Sequence, residues 1–154
     1  MKKLFLTALM SVLAMGAFAQ VNFKSVDVKA SLRHDFGIGV GTTVGISQDI
    51  DFAPSFNAFF VDGASSCFTI DADFHYNIDL GHEFHLFPLA GPALYHVSYK
   101  GDGGATKLGV NLGCGLDYDL DYNWTVFAEG KYQFLFNANG YDDTFLSVGC
   151  KYRF

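Results

Sequence analysis

Few residues in this chain have types that could do chemistry, and their spacing argues against most of it. Asp117, Asp119, Asp121 and Asn123 place oxygen donors at every second position, as a calcium loop begins. That loop needs Gly at its sixth position and Glu at its twelfth, where this chain has Tyr122 and Ala128. The run reads instead as strand-end acids followed by a polar turn. His82 and His85 are three apart at a turn, not four apart on a helix as in a zinc protease motif, so they read as surface histidines. FGIGVGTTVG lacks the G-x-G-x-x-G spacing and precedes no helical pattern, which removes a nucleotide site. Cys67, Cys114 and Cys150 lie 47 and 36 residues apart, a spacing that fits neither zinc nor haem. Three cysteines cannot all pair internally; they read as small apolar side chains, with one bridge left open. No catalytic residue, metal or cofactor is expected.

The elements that would have to position any site are strands. The chain has 17 Phe, 8 Tyr and 17 Gly against 3 Pro, and short alternating runs recur between turn residues. Eight runs fall near 24–34, 36–46, 50–61, 67–80, 84–99, 106–120, 124–136 and 144–154. The links at 47–49, 62–66, 81–83, 100–105, 121–123 and 137–143 are short, so antiparallel hairpins are the economical connection.

Charge parity sharpens this picture. Of the 24 Asp, Glu, Lys and Arg beyond residue 19, 19 sit at odd numbers, and the exceptions (Lys24, Asp62, Lys100, Asp102, Asp142) fall at run ends or in links. In 67–80, Phe68, Ile70, Phe74 and Ile78 oppose Thr69, Asp71, Asp73 and Asp79; in 106–120, Leu108, Val110, Leu112 and Leu116 oppose Lys107, Asn111, Asp117 and Asp119. Facing residues of an antiparallel pair share a side, so a common phase builds one sheet with one apolar surface. The run 84–99 is apolar on both parities and carries Pro88 and Pro92, which predicts a bulge and leaves its phase unassigned.

Such a sheet can close around an apolar centre, as a secreted lipocalin-like ligand-binding barrel does, or with its apolar face toward lipid. Exclusion of charge from the even face suits lipid, where Lys or Arg near the bilayer midplane costs about 2–4 kcal/mol. The odd face is also rich in glycine (Gly37, Gly39, Gly41, Gly109, Gly113, Gly115), poor material for a solvated exterior but suited to a crowded narrow lumen. Phe36, Tyr76, Tyr118, Tyr122, Trp124, Phe136, Tyr141, Tyr152 and Phe154 lie near run ends, where aromatic rings sit at a membrane interface.

The chain opens with Lys2 and Lys3, an uncharged apolar run and the sequence Ala17-Phe18-Ala19, the order of a secretory signal peptide. Residues 1–19 are expected to be cleaved, leaving 20–154 as one barrel domain. Without Lys2 and Lys3, 8 basic side chains face 16 acids and the net charge moves from −6 to −8, which repels nucleic acid.

FHLFPLAGPAL, KLGVNLGCGLDYDL, NWTVFAEGKYQF and the closing SVGCKYRF resemble the small outer-membrane β-barrel family, the OmpA/OmpX-like domains often labelled porin-family proteins. The resemblance implies an all-β fold, an eight-stranded antiparallel up-and-down transmembrane β-barrel in the outer membrane of a Gram-negative bacterium, exported through the periplasm. It further implies that the alternation Leu146, Val148, Cys150, Tyr152, Phe154 is a signal read by the barrel-assembly machinery. The expected partners are therefore outer-membrane lipid and that machinery, with the monomer favoured. His96-Val97-Ser98 is similar to the His-x-Ser element of outer-membrane lipid A deacylases, but the window twelve residues past Ser98, at Val110, holds no Glu to orient the histidine.

An eight-stranded barrel is just wide enough for its own side chains. Asp71, Asp73, Asp117, Glu129, Lys131, Lys151 and Arg153 are expected to form a polar interior network. A hairpin that pairs Phe136 with Thr144 would set Glu129 opposite Lys151. The function expected from sequence is an envelope-structural or surface-interaction barrel rather than a wide pore, and not an enzyme. Its termini would be periplasmic, and the links 62–66, 100–105 and 137–143 would face outward.

Overall fold

In a computed structural model of the chain, residues 22–99, 103–136 and 143–154 are described. The proposed leader lies outside them, as do residues 100–102 of the link at 100–105 and residues 137–142, Tyr141 included, of the link at 137–143. The strands are β1 (Asn22–Leu32), β2 (Phe36–Gly45), β3 (Ile50–Phe59), β4 (Ala64–Tyr76), β5 (Ile78–Gly81), β6 (Phe84–Tyr99), β7 (Gly103–Asp119), β8 (Trp124–Leu135) and β9 (Asp143–Arg153). β4 and β5 are two parts of one stave, broken at Asn77, and both pair with β6. Each stave pairs antiparallel with its sequence neighbours, and β9 returns to β1. The result is a closed eight-stranded up-and-down barrel, which leaves no free edge along its length.

The alternation sets which way each side chain points. Phe74 is 45% exposed and Leu112 58%, whereas Asp73 and Lys131 between and beside them are each 3% exposed. Apolar residues thus face out and charges face in, the reverse of a ligand-binding barrel with an apolar cavity. Among the described residues no helix is long and apolar enough to cross a membrane; crossing falls to strands, which pair their backbone groups around the closed sheet.

The phase of 84–99 is now assigned. β6 pairs with β7 in unbroken register from Phe84↔Tyr118 to Tyr99↔Gly103, without the expected bulge on that side. Its odd residues Phe87, Leu89 and Ala93 are buried inside, while Pro88 and Pro92 face outward. Bulges fall instead between Phe23 and Ser25, Ala64 and Ser66, and Asp79 and Gly81.

Narrowness explains the inward glycines. A Cβ on Gly115 would collide with the ring of Phe87, and one on Gly39 with Asn57 and Lys29. These strands lie at positions where side chains from their neighbours need the space.

Candidate functional site

Among the described residues, polar and charged side chains converge in the barrel interior, which is layered along the axis. Near the end carrying the 33–35 and 60–63 links, Phe59, Cys67 and Phe145 form an apolar layer with Val61, Tyr95 and Val97 packed against it. Arg33 lies over the Tyr95 ring at 4.4 Å and pairs with Asp143. Cys67 Sγ is 3.5 Å from the Tyr95 hydroxyl, and all three cysteines are free.

Below this layer sits the charged centre. Lys131 Nζ on β8 donates to Asp71 at 2.9 Å and Asp73 at 3.1 Å, both on β4 across the lumen. Asn111 on β7 donates to the same two carboxylates at 3.1 and 2.9 Å. Asn57 donates to Asp71 at 2.9 Å, and Gln133 donates to Asn111 at 3.1 Å. Lys29 on β1 reaches Glu129 at 3.1 Å, and Lys131 lies 4.0 Å from the same carboxylate. Asp71, Asp73, Glu129 and Lys131 are all nearly without solvent contact. Buried charges of this kind persist only when paired and hydrogen-bonded, and here both conditions are met by five staves at once.

The third layer joins charge to aromatic rings. Lys151 holds both oxygens of Asp117 at 2.8 and 2.7 Å and lies 4.5 Å over the Phe87 ring and 4.9 Å over Phe127. His75 stacks on Phe87 at 4.7 Å. At the terminal end Arg153 pairs with Asp119 and bonds Thr125, while His85 Nε2 approaches Asp119 at 3.3 Å. Lys24 pairs with Asp51 at 2.6 Å at the same mouth.

Every residue expected in the polar network lies inside, but not every expected pairing forms. The register between β8 and β9 is Tyr132↔Thr144, not Phe136↔Thr144, so Glu129 faces Ser147 and Lys151 faces Thr125. Glu129 therefore takes Lys29, and Lys151 takes Asp117. A shift of four residues keeps every side chain on its own face, so the alternation carried no warning of it. The expected network, chosen by charge, left out Asn57, Thr69, Asn111 and Gln133, although Thr69 and Asn111 had been placed on the polar face. Their signal was there: they are polar residues at odd positions within runs.

The remaining candidates stay apart. His96 Nδ1 is hydrogen-bonded to Thr106 Oγ1 at 2.8 Å on the outer surface. The strand-end acids around Asp121 form a turn in which its carboxylate accepts from the backbone of Asn123 and Trp124, both at 2.8 Å. Among the described residues no cluster of His, Cys, Asp and Glu could hold a metal ion. On β9, Leu146 and Val148 point outward and exposed beside half-exposed Cys150 and Tyr152, and Phe154 just past the strand is exposed too. Trp124 and Tyr152 meet edge-on at 5.1 Å and Phe84 and Tyr118 meet tilted at 4.8 Å, which places aromatic rings on four adjacent staves at the terminal end.

The central cavity among Asp27, Lys29, Asp73, His75, Glu129 and Lys151 measures about 20 Å³, room for about one water.

Comparison with known proteins agrees with this geometry. The N-terminal β-barrel domain of Pseudomonas aeruginosa OprF superposes with a TM-score of 0.75 at 16% identity, over 88% of this chain and 100% of that one. Neisserial surface protein A gives 0.66 at 17% identity, over 86% and 96%. Ail, the attachment invasion locus protein of Yersinia pestis, gives 0.55 at 15% identity, over 87% and 97%. None of the curated protein sequences compared with the chain matches it. The model of the outer membrane protein β-barrel domain matches residues 5–154. With its charges turned inward, its apolar residues turned outward and this match along its length, the chain belongs to the outer membrane protein β-barrel domain family.

Proposed function

We propose that the protein is a filled, non-catalytic barrel of the Gram-negative outer membrane, exported through the periplasm and serving the envelope as a structural element rather than as a wide pore. The observation that carries this reading is the occupied lumen. Lys131, Asp71, Asp73 and Asn111 bridge it at mid-height, and the aromatic layers around Phe145 and Phe87 pack above and below. Outer-membrane lipid would meet the even-numbered surface, and the assembly machinery would meet β9 through Leu146, Val148, Cys150, Tyr152 and Phe154. The links at the outward end are short, and a stable protein interface buries about 800 Å² on each partner, which favours the structural role over adhesion.

Liposome swelling tests the reading. Vesicles carrying the reconstituted full chain should not swell in an isotonic monosaccharide, in contrast to vesicles carrying a water-filled porin. Swelling at a porin-like rate would show an open lumen and overturn the proposal.

A further inference from the structure

Two ladders of the barrel wall are interrupted without a bulge. Between β2 and β3 the register runs to Gly41↔Ser55 and resumes at Val44↔Phe52, so Thr42 and Thr43 are not paired with Pro54 and Ala53. Between β4 and β6 it runs to Asp71↔Ala93 and resumes at Phe74↔Ala90, which leaves out Ala72, Asp73, Gly91 and Pro92. Each gap holds a proline, which brings no N–H to a ladder. The two gaps also meet the same residues, because Ala53↔Asp73 and Pro54↔Ala72 are partners in the unbroken ladder of β3 with β4. At this height β3 and β4 are paired with each other and with neither outer neighbour.

Such a segment needs another tie, since backbone that leaves its ladder within a membrane-spanning wall is costly. The lumen supplies one. Asp71 and Asp73 on β4 accept from Lys131 on β8 at 2.9 and 3.1 Å and from Asn111 on β7 at 3.1 and 2.9 Å, while Lys29 on β1 donates to Ser55 on β3 at 3.4 Å. Every one of these bonds joins the segment to a stave that is not its sheet neighbour. Behind the segment the packing is open: the central cavity of about 20 Å³ touches Thr43, Ala53, Pro54 and Asp73, which leaves room for a water beside the interrupted backbone.

We infer that the middle of β3 and β4 is a hinged panel of the barrel wall and that the Lys131 cluster is its latch. With the latch made, the panel is drawn inward and side-chain packing closes both gaps. With the latch broken, the gaps part and water from the cavity takes up the backbone groups that face them. The buried charges then do more than fill the lumen, because they set how firmly one part of the wall is shut.

Amide hydrogen exchange, read residue by residue by nuclear magnetic resonance on the full chain in phosphatidylcholine nanodiscs, tests both parts. Successive amides of a strand point to opposite neighbours, so one amide of Thr42 and Thr43, and one of Ala72 and Asp73, points into a gap. In the wild type these two should exchange at least about tenfold faster than the amides of Val28, Lys29, Val148 and Gly149, whose ladders are unbroken on both sides. Two variants break the latch: Lys131→Gln, and Lys131→Met with Asp71→Asn and Asp73→Asn, which leaves no buried charge orphaned. In whichever migrates compactly on a gel before boiling, the gap amides should quicken by about a further tenfold and the reference amides by much less. Equal exchange at gaps and reference in the wild type would overturn the panel. An equal factor at both sets in the variants, or the loss of compact migration in both, would overturn the latch, since the charges would then hold the whole barrel rather than one part of its wall.

Discussion

Lys131 shows what a single residue does here. Its ammonium is held by Asp71 and Asp73 in a centre almost free of solvent. Removing one partner of such a group leaves buried charge uncompensated, which costs about 3–5 kcal/mol. Lys131→Met should therefore lower the unfolding free energy by that amount in urea titrations of the reconstituted protein. Adding Asp71→Asn and Asp73→Asn to it should restore much of the loss, because the orphaned charges go with it. A loss in Lys131→Met below about 1 kcal/mol would mean that water already serves these carboxylates. That these residues face inward was legible from their odd numbers alone. Which of them touch was not, because partners depend on strand register, and a register displaced by an even number preserves every face while exchanging every contact.

At the scale of elements, alternation located the eight staves because lipid and lumen impose opposite demands on successive residues. It failed to phase 84–99 for a specific reason: the lumen is apolar where β6 lines it, with Phe87 and Leu89 packed against Phe127, so both faces of that strand are greasy. The ends were less legible than the middles. β4 and β7 begin three residues earlier than the pattern suggested, at Ala64 and Gly103, because beyond the membrane neither face must be apolar. One turn departs from ordinary chemistry. Gly81 pairs with Phe84 across His82 and Glu83, which have φ of 52° and 62°. A two-residue hairpin of this kind favours Asn-Gly, since both central residues need positive φ, and a side chain in the left-handed region costs about 1–2 kcal/mol. His82→Asn with Glu83→Gly should stabilise the barrel by about 1 kcal/mol; thermal unfolding in detergent checks the sign. A lower midpoint would show that these side chains make compensating contacts.

For the whole molecule, the barrel is a layered solid: aromatic, charged and aromatic again, enclosed by a sheet whose outer surface only hydrocarbon would stabilise. Val28, Leu112 and Val148 are each about 60% exposed, a pattern that in water would invite aggregation and in lipid needs no cover. Composition and parity together made this inversion legible, since lipid excludes charge more strictly than a soluble core does and the glycines on the polar face suit a crowded lumen better than a solvated exterior. The role of the molecule in its envelope is written in the sequence less clearly, because it depends on what the outward end meets.

The central claim is that lipid, not water, surrounds the even-numbered residues. Electron paramagnetic resonance on nitroxide labels placed at Leu112→Cys and Val148→Cys, with Cys67, Cys114 and Cys150 replaced by Ala, tests it in reconstituted bilayers. Both labels should collide readily with dissolved oxygen and scarcely with a water-soluble nickel chelate. Labels that collide with the chelate and are shielded from oxygen would place those residues in water and contradict the account.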